Sequence, residues 1–145
     1  MSTRHRDIDA DPTRVWAVLA DGWLYALWVV GASRMREVDA DWPGVGARLH
    51  HSAGAWPLLV DDTTSVLESR EHERLRLRAR GWPAGEAEVL IELQPRAGGT
   101  TRVVLHEDAV AGPGRLVPKP LRDVQLAVRN DESLKRLALI VENRR

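Results

Sequence analysis

The chain has 145 residues, 43% of them hydrophobic, which is enough for the core of one domain and too much for a disordered protein. Its 21 basic and 21 acidic residues give a net charge of zero, and this balance argues against a nucleic-acid partner. Cysteine is absent, which excludes disulfides and thiolate chemistry, and no apolar run approaches the roughly 20 residues of a membrane-spanning helix.

The N-terminal part predicts an edge strand and two short helices. The strand is expected at residues 2–9. Asp11 and Pro12 then begin a helix, because aspartate caps the free amides of a first turn and proline loses no hydrogen bond there. This helix ends at Gly22, and a second one is expected at about 23–29.

Six further strands are predicted in the middle of the chain. Turn signals such as Trp42-Pro43-Gly44 and Ala97-Gly98-Gly99 separate them. The strands are expected at about 33–40, 46–55, 58–69, 73–80, 86–94 and 100–110.

The strongest strand signal is the pair of segments at 73–80 and 86–93. Charged and apolar residues alternate in both, as they do in antiparallel strands with one face in water. If Arg80 lies opposite Glu86, then Arg78 lies opposite Glu88 and Arg74 opposite Glu92, and the register is well specified. The other face is apolar and must be covered: it carries Leu75, Leu77, Ala79, Ala87, Val89, Ile91 and Leu93.

The last element is predicted as an amphipathic helix from about Leu121 to Asn143. At 1.5 Å per residue it is roughly 35 Å long, enough to lie across a curved sheet and shield its apolar face. Its apolar stripe comprises Val124, Ala127, Val128, Leu134, Leu137, Ala138 and Val141.

The order of these elements, with four segments, resembles the helix-grip fold of the START-like (SRPBCC) superfamily, in its polyketide cyclase/dehydrase and lipid-transport branch. The segments are Asp11-Pro12-Thr13-Arg14-Val15-Trp16, Leu49-His50-His51-Ser52-Ala53-Gly54, Asp61-Asp62-Thr63-Thr64 and Arg129-Asn130-Asp131-Glu132-Ser133-Leu134. The resemblance implies one α+β domain over residues 1–145: a curved seven-stranded antiparallel sheet, two short helices and a long C-terminal helix that encloses a cavity. The superfamily holds cyclases, aromatases, ligand carriers, hormone receptors and resistance proteins, so the fold alone selects no activity.

Glu107 is predicted to point into this cavity. If Ile91 pairs with Val103, alternation along the strand turns Glu107 inward. An inward carboxylate in apolar surroundings suits a general acid or a ligand hydrogen bond. Alternatively, the strand frays here and Glu107 pairs with an arginine at the rim.

Two neighbouring strands offer further polar groups. If Val66 pairs with Leu75, Asp62 points inward, and Thr64 lies on the same face. A register shifted by one residue turns Asp61 inward instead, and the aspartate pair can also simply mark a turn or bulge.

The adjacent histidines are predicted to point to opposite faces, with His51 inward and His50 outward. They cannot share a metal ion in regular strand geometry, so no metal site is expected. His51 is expected as a polar group of the cavity, hydrogen-bonded to Asp62 or Glu107, or else as a satisfied core histidine.

Asn130 and Asp131 interrupt the helical stripe, and one of them must face the sheet or the cavity mouth. Because an unpaired buried polar group costs about 1–3 kcal/mol, that residue should contact a ligand, a loop or an arginine. Trp56 and Trp82 lie beside turns where a cavity mouth is expected, and packing is the alternative role for both.

Together these features predict a bacterial, cytoplasmic protein, monomeric or homodimeric, that binds a hydrophobic, aromatic or polyketide-like small molecule without a cofactor and without membrane insertion. The expected ligand-binding residues are His51, Trp56, Asp62, Thr64, Trp82, Glu107 and Asn130. One alternative is a polyketide cyclase, aromatase or dehydratase in which His51 or Glu107 moves protons. Another is a protein that sequesters a toxic natural product. Motifs of hydrolases, kinases and nicotinamide enzymes are absent from the sequence.

Overall fold

A computed structural model of the chain describes residues 2–53, 60–81 and 85–144. Its strands are β1 (Ser2–Ile8), β2 (Ala32–Val38), β3 (Arg48–Ala53), β4 (Val60–Arg70), β5 (Arg74–Gly81), β6 (Gly85–Arg96) and β7 (Thr100–Ala111). Its helices are α1 (Pro12–Leu19), α2 (Tyr25–Trp28) and α3 (Lys119–Asn143), with single 3-10 turns at Gly22–Leu24 and Pro113–Leu116. The strands form one antiparallel sheet in the order β1-β7-β6-β5-β4-β3-β2. The predicted α+β architecture is confirmed.

Helix α1 forms as its sequence predicts. The Asp11 carboxylate accepts a hydrogen bond from the Arg14 amide at 3.0 Å, and Pro12 occupies the first turn. The face that α1 buries against the sheet carries Val15, Trp16, Val18 and Leu19.

The β5–β6 hairpin has the predicted register. Arg80 lies opposite Glu86, Arg78 opposite Glu88 and Arg74 opposite Glu92, as predicted. At the end of the hairpin, Glu86 makes ion pairs with Arg78 at 2.6 Å and with Arg80 at 3.3 Å. The inner face is fully buried at Leu75, Leu77 and Ile91, which fixes the register as strict alternation should.

The predicted register of β6 with β7 is wrong by two residues. Ile91 lies opposite Leu105 rather than Val103, because a turn at 97–99 centres the hairpin one residue later than predicted. Because side chains alternate between the two faces, a shift of two residues leaves Glu107 on the inner face.

The predicted register of β4 with β5 is also wrong by two residues. Val66 lies opposite Leu77 rather than Leu75. A tight turn at 71–73 and a bulge between Val66 and Glu68 together shift the pairing. The inner face of β4 is again the predicted one.

Helix α3 buries only its C-terminal half. The buried residues are Asn130, Ser133, Leu134, Leu137, Ala138 and Val141. Arg14 anchors this end, since its Nη2 donates to the carbonyl oxygens of Val141 at 3.1 Å and Arg144 at 2.9 Å. Among the described residues, no helix is long and apolar enough to cross a membrane.

The N-terminal half of α3 differs from the prediction. The apolar stripe places Val124 and Val128 over the sheet, but they are 60% and 69% exposed. The helix instead turns Arg122, Leu126 and Arg129 towards the sheet. It does so because a cavity lies beneath this half, with no packed layer of side chains for the valines to join.

Candidate functional site

A cavity of about 400 Å³ lies between the inner face of the sheet, helix α2 and the N-terminal half of α3. This volume is within the range of small-molecule pockets. Its wall is largely apolar, with Trp28, Leu77, Val89, Ile91, Leu105 and Leu126 among the lining residues.

A row of small side chains makes room for this cavity. Ala87 on β6 lies opposite Ala79 on β5 and opposite Ala109 on β7, and Thr64 continues the row on β4. All four residues line the cavity. Larger side chains, such as Leu77 and Ile91, follow the row along the inner face, where they form a further part of the cavity wall and join the core.

His51 lies at the β3 side of the cavity and is only 3% exposed. Its Nε2 is 2.8 Å from Thr64 Oγ1, and its ring stacks on Tyr25 with a centroid distance of 5.8 Å. The predicted inward orientation is confirmed, but the predicted partners Asp62 and Glu107 are wrong. Thr64 is the diagonal neighbour on β4, within reach of the imidazole.

Burial sets the protonation of these two rings. It lowers the pKa of His51 below its ordinary value of 6.5, and it raises the pKa of Tyr25 to about 12. At neutral pH the imidazole is therefore uncharged and the phenol keeps its proton. His51 Nδ1 is buried and has no hydrogen-bond partner among the described residues.

The long helix resolves the choice between Asn130 and Asp131. Asn130 lines the cavity at 3% exposure, whereas Asp131 points outward and binds Arg4 at 2.7 Å and 2.9 Å. Asn130 Nδ2 has no partner within the described parts of the chain. An unpaired buried donor is costly, and a ligand atom that accepts a hydrogen bond would remove that cost.

Glu107 combines the two alternatives that the sequence left open. It points into the cavity and is 6% exposed, yet its Oε2 also accepts a hydrogen bond from Arg129 Nη2. A second ion pair stands beside this one, with Arg122 Nε 3.1 Å from Asp108 Oδ1. These two pairs tie the N-terminal half of α3 to β7.

Asp62 lies on the inner face of β4, opposite His51. Its carboxylate accepts from the Thr63 amide at 2.9 Å and lies 3.6 Å from Arg80 Nε, beside the cavity rather than in its lining. Trp56 and Trp82 lie outside the described residues. Within those residues, no three His, Asp or Glu side chains are grouped as a metal ion would require.

Sequence reasoning missed Tyr25, Arg122 and Arg129 as cavity residues. The two arginines are seven positions apart, which is two helical turns, and they share a face with Leu126 and Ser133. That spacing is a usable signal. It was overlooked because the apolar stripe predicted that a different face of the helix, with Val124 and Val128, packs on the sheet.

The model of a family described as polyketide cyclase/dehydrase and lipid transport matches residues 2–142 of the chain. No curated protein matches it. The resemblance inferred from the sequence is thereby confirmed at the level of the family.

Solved structures show the same fold. A protein from Chromobacterium violaceum has 22% identity and a TM-score of 0.69, and the match covers 98% of this chain and 97% of that one. DynU16, a protein of the dynemicin biosynthetic locus, has 20% identity and a TM-score of 0.68 over 98% of this chain and 47% of its own. Ara h 8.0201 has 13% identity and a TM-score of 0.67, with 98% and 97% covered.

Proposed function

The chain belongs to the polyketide cyclase/dehydrase and lipid transport family, and on this premise we propose that its cavity binds a hydrophobic, aromatic or polyketide-like small molecule. The observation that carries the proposal is an apolar cavity of about 400 Å³ whose lining includes His51 and Asn130, each with a buried side-chain nitrogen that has no hydrogen-bond partner among the described residues. A packed core would fill the space, and a purely structural polar group would be paired.

The polar atoms give the ligand an orientation. Asn130 lines the cavity from the helix and His51 from the sheet, so a bound molecule has polar side chains on two walls. The remaining wall offers apolar area, whose burial supplies roughly 25 cal/mol per Å² of ligand surface removed from water. Sparse polar anchors in an apolar pocket are the general pattern of small-molecule sites.

The test is a fluorescence titration with the neutral dye N-phenyl-1-naphthylamine, which brightens in apolar surroundings. Saturable binding is expected in the wild type. Ala87→Trp should abolish it, because the indole occupies the space above the alanine row. Ala97→Trp is the matched control, since Ala97 is exposed in the β6–β7 turn. Equal binding by both variants would place the dye elsewhere and refute the proposal.

A second candidate function is catalysis, as a cyclase, aromatase or dehydratase. The observation that favours it is the state of His51, which is buried, uncharged at neutral pH and unpaired at Nδ1 among the described residues. Such a group can accept a proton from a bound chain. Glu107, the other candidate, already has Oε2 engaged by Arg129.

The two functions differ in their response to His51→Gln. Glutamine keeps a hydrogen-bonding group but cannot act as a base near neutral pH. An enzyme should lose at least about 100-fold in turnover, in line with the usual contribution of general acid–base catalysis. A carrier should lose only the affinity of one hydrogen bond, about tenfold or less. Full turnover in the variant would remove His51 from the chemistry.

A further inference from the structure

The ionised side chains that line the cavity are matched with opposite charges. Among the described residues, these are Arg80 with Asp62 and Glu86, Glu86 with Arg78, Glu107 with Arg129, and Arg122 with Asp108. The cavity therefore presents charges to a ligand only as pairs that are already formed. From this pairing we can infer which charge a ligand of the cavity carries. The inference rests on the proposed function.

The Glu107–Arg129 ion pair determines whether a charged ligand can bind. It joins β7 to α3, with Glu107 buried and Arg129 38% exposed on its side chain. An anionic ligand that reached Arg129 would place a second negative charge on the same guanidinium, beside Glu107. The negative charges of the ligand and of Glu107 would repel each other when both contact this guanidinium. The ligand would also lose its hydration on entering the cavity. A cationic ligand that reached Glu107 would likewise place a second positive charge beside Arg129.

Arg122 Nε makes no hydrogen bond within the described residues, but it is ion-paired with Asp108 at 3.1 Å. The other groups of the described cavity wall that carry a side-chain atom without a hydrogen-bond partner are uncharged. They are the amide of Asn130 and the imidazole of His51, which burial keeps neutral. Both can be satisfied by a carbonyl, hydroxyl or similar neutral group of the ligand. A ligand can therefore form hydrogen bonds with uncharged groups of the cavity, but among the described residues it finds no unpaired charged side chain to neutralise its own charge.

We infer that the cavity selects uncharged ligands, and that Glu107 enforces this selection by occupying Arg129. Without Glu107, Arg129 becomes a vacant cation at the cavity wall. The site should then accept an anionic guest that the wild type rejects.

The experiment compares two dyes that share one ring skeleton. N-phenyl-1-naphthylamine is neutral, and 1-anilinonaphthalene-8-sulfonate carries a sulfonate. Only fluorescence that is lost in Ala87→Trp counts as cavity binding. The measured quantity is the ratio of the two Kd values at low salt, and the wild type should favour the neutral dye by about tenfold or more.

Glu107→Gln should shift this ratio towards the sulfonate by about tenfold, since a hydrogen bond to a charged partner becomes available. Glu132→Gln is the matched control: it makes the same charge change at an exposed position of α3, where Glu132 pairs with Arg136 at 3.1 Å. Glu107→Gln/Arg129→Gln should return the ratio to that of the wild type, and it leaves no unpaired charge to endanger folding.

The outcomes separate the two proposals. If neither dye binds the cavity of the wild type, the proposed function is wrong. If both dyes bind the wild-type cavity equally, binding stands and the selection of uncharged ligands is overturned. The same conclusion follows if Glu132→Gln shifts the ratio as much as Glu107→Gln does. The wild-type ratio decides between selection and no selection even if a variant fails to fold.

Discussion

Asn130 and Asp131 are neighbours in sequence, yet the Asn130 side chain lines the cavity whereas that of Asp131 is exposed and bound to Arg4 on β1. The ion pair faces solvent, while the amide beside it lacks a partner for Nδ2 within the described residues. If the cavity binds a ligand as proposed, this amide costs stability in the empty protein and contributes a hydrogen bond in the complex.

The first prediction concerns this amide. Asn130→Leu has a similar volume and removes the unpaired donor, so the free energy of unfolding without ligand should rise by about 1–2 kcal/mol. Affinity for a neutral ligand that accepts a hydrogen bond should fall about tenfold. Urea unfolding and a binding titration on the same samples provide the check. A loss of stability in the variant would show that the amide is satisfied.

The second prediction compares the two halves of α3 through the same substitution. Val141 is fully buried and Val128 is exposed. Val141→Ala should lower the free energy of unfolding by about 2 kcal/mol, from lost burial and the space left behind. Val128→Ala should stay within about 0.5 kcal/mol of the wild type. Comparable losses at both sites would mean that the N-terminal half is packed after all.

The third prediction concerns pH. Because burial holds the pKa of His51 below 6.5, the unfolded chain binds more protons than the folded one just below that pH. Stability should therefore fall as pH drops below 6.5. His51→Gln should make the dependence of Tm on pH shallower in this window. His5→Gln, at an exposed position of β1, serves as the control. Parallel curves for His51→Gln and the wild type would contradict the prediction.

The fourth prediction concerns the hydrogen bond between Thr64 and His51. Thr64→Val keeps the shape of the side chain but removes the Oγ1 that lies 2.8 Å from Nε2. Both imidazole nitrogens would then be buried and unpaired, and the protein should lose about 1–3 kcal/mol in urea unfolding. Thr63→Val, one residue away on the other face of β4, should change stability much less.

The sequence predicted those parts of the fold that strict patterns determine. The register of β5 with β6 was predicted correctly, because a slip of one residue would turn the charged arginines into the core. The faces of His51, Thr64 and Glu107 were also correct. Two registers failed by an even number, because a bulge and a turn centre depend on backbone geometry that alternation does not encode.

The site was harder to predict than the fold. The partners of His51 and Glu107 depend on diagonal contacts and on how α3 is rotated above the sheet, and a linear pattern carries neither. The apolar stripe gave the wrong rotation for the N-terminal half, because hydrophobic periodicity assumes that apolar residues always pack inward. Over a cavity that assumption fails, and Arg129 takes the place predicted for a valine.

The unlike halves of α3 have an evolutionary consequence. The C-terminal half serves as the foundation, with its leucines and the Arg14 cap, while residues 119–129 form a roof held to β7 by ion pairs. If the cavity binds a ligand as proposed, substitutions within residues 119–129 should change which ligand fits while the packed C-terminal half keeps the fold. A lineage could then change its ligand at a few positions of one helix.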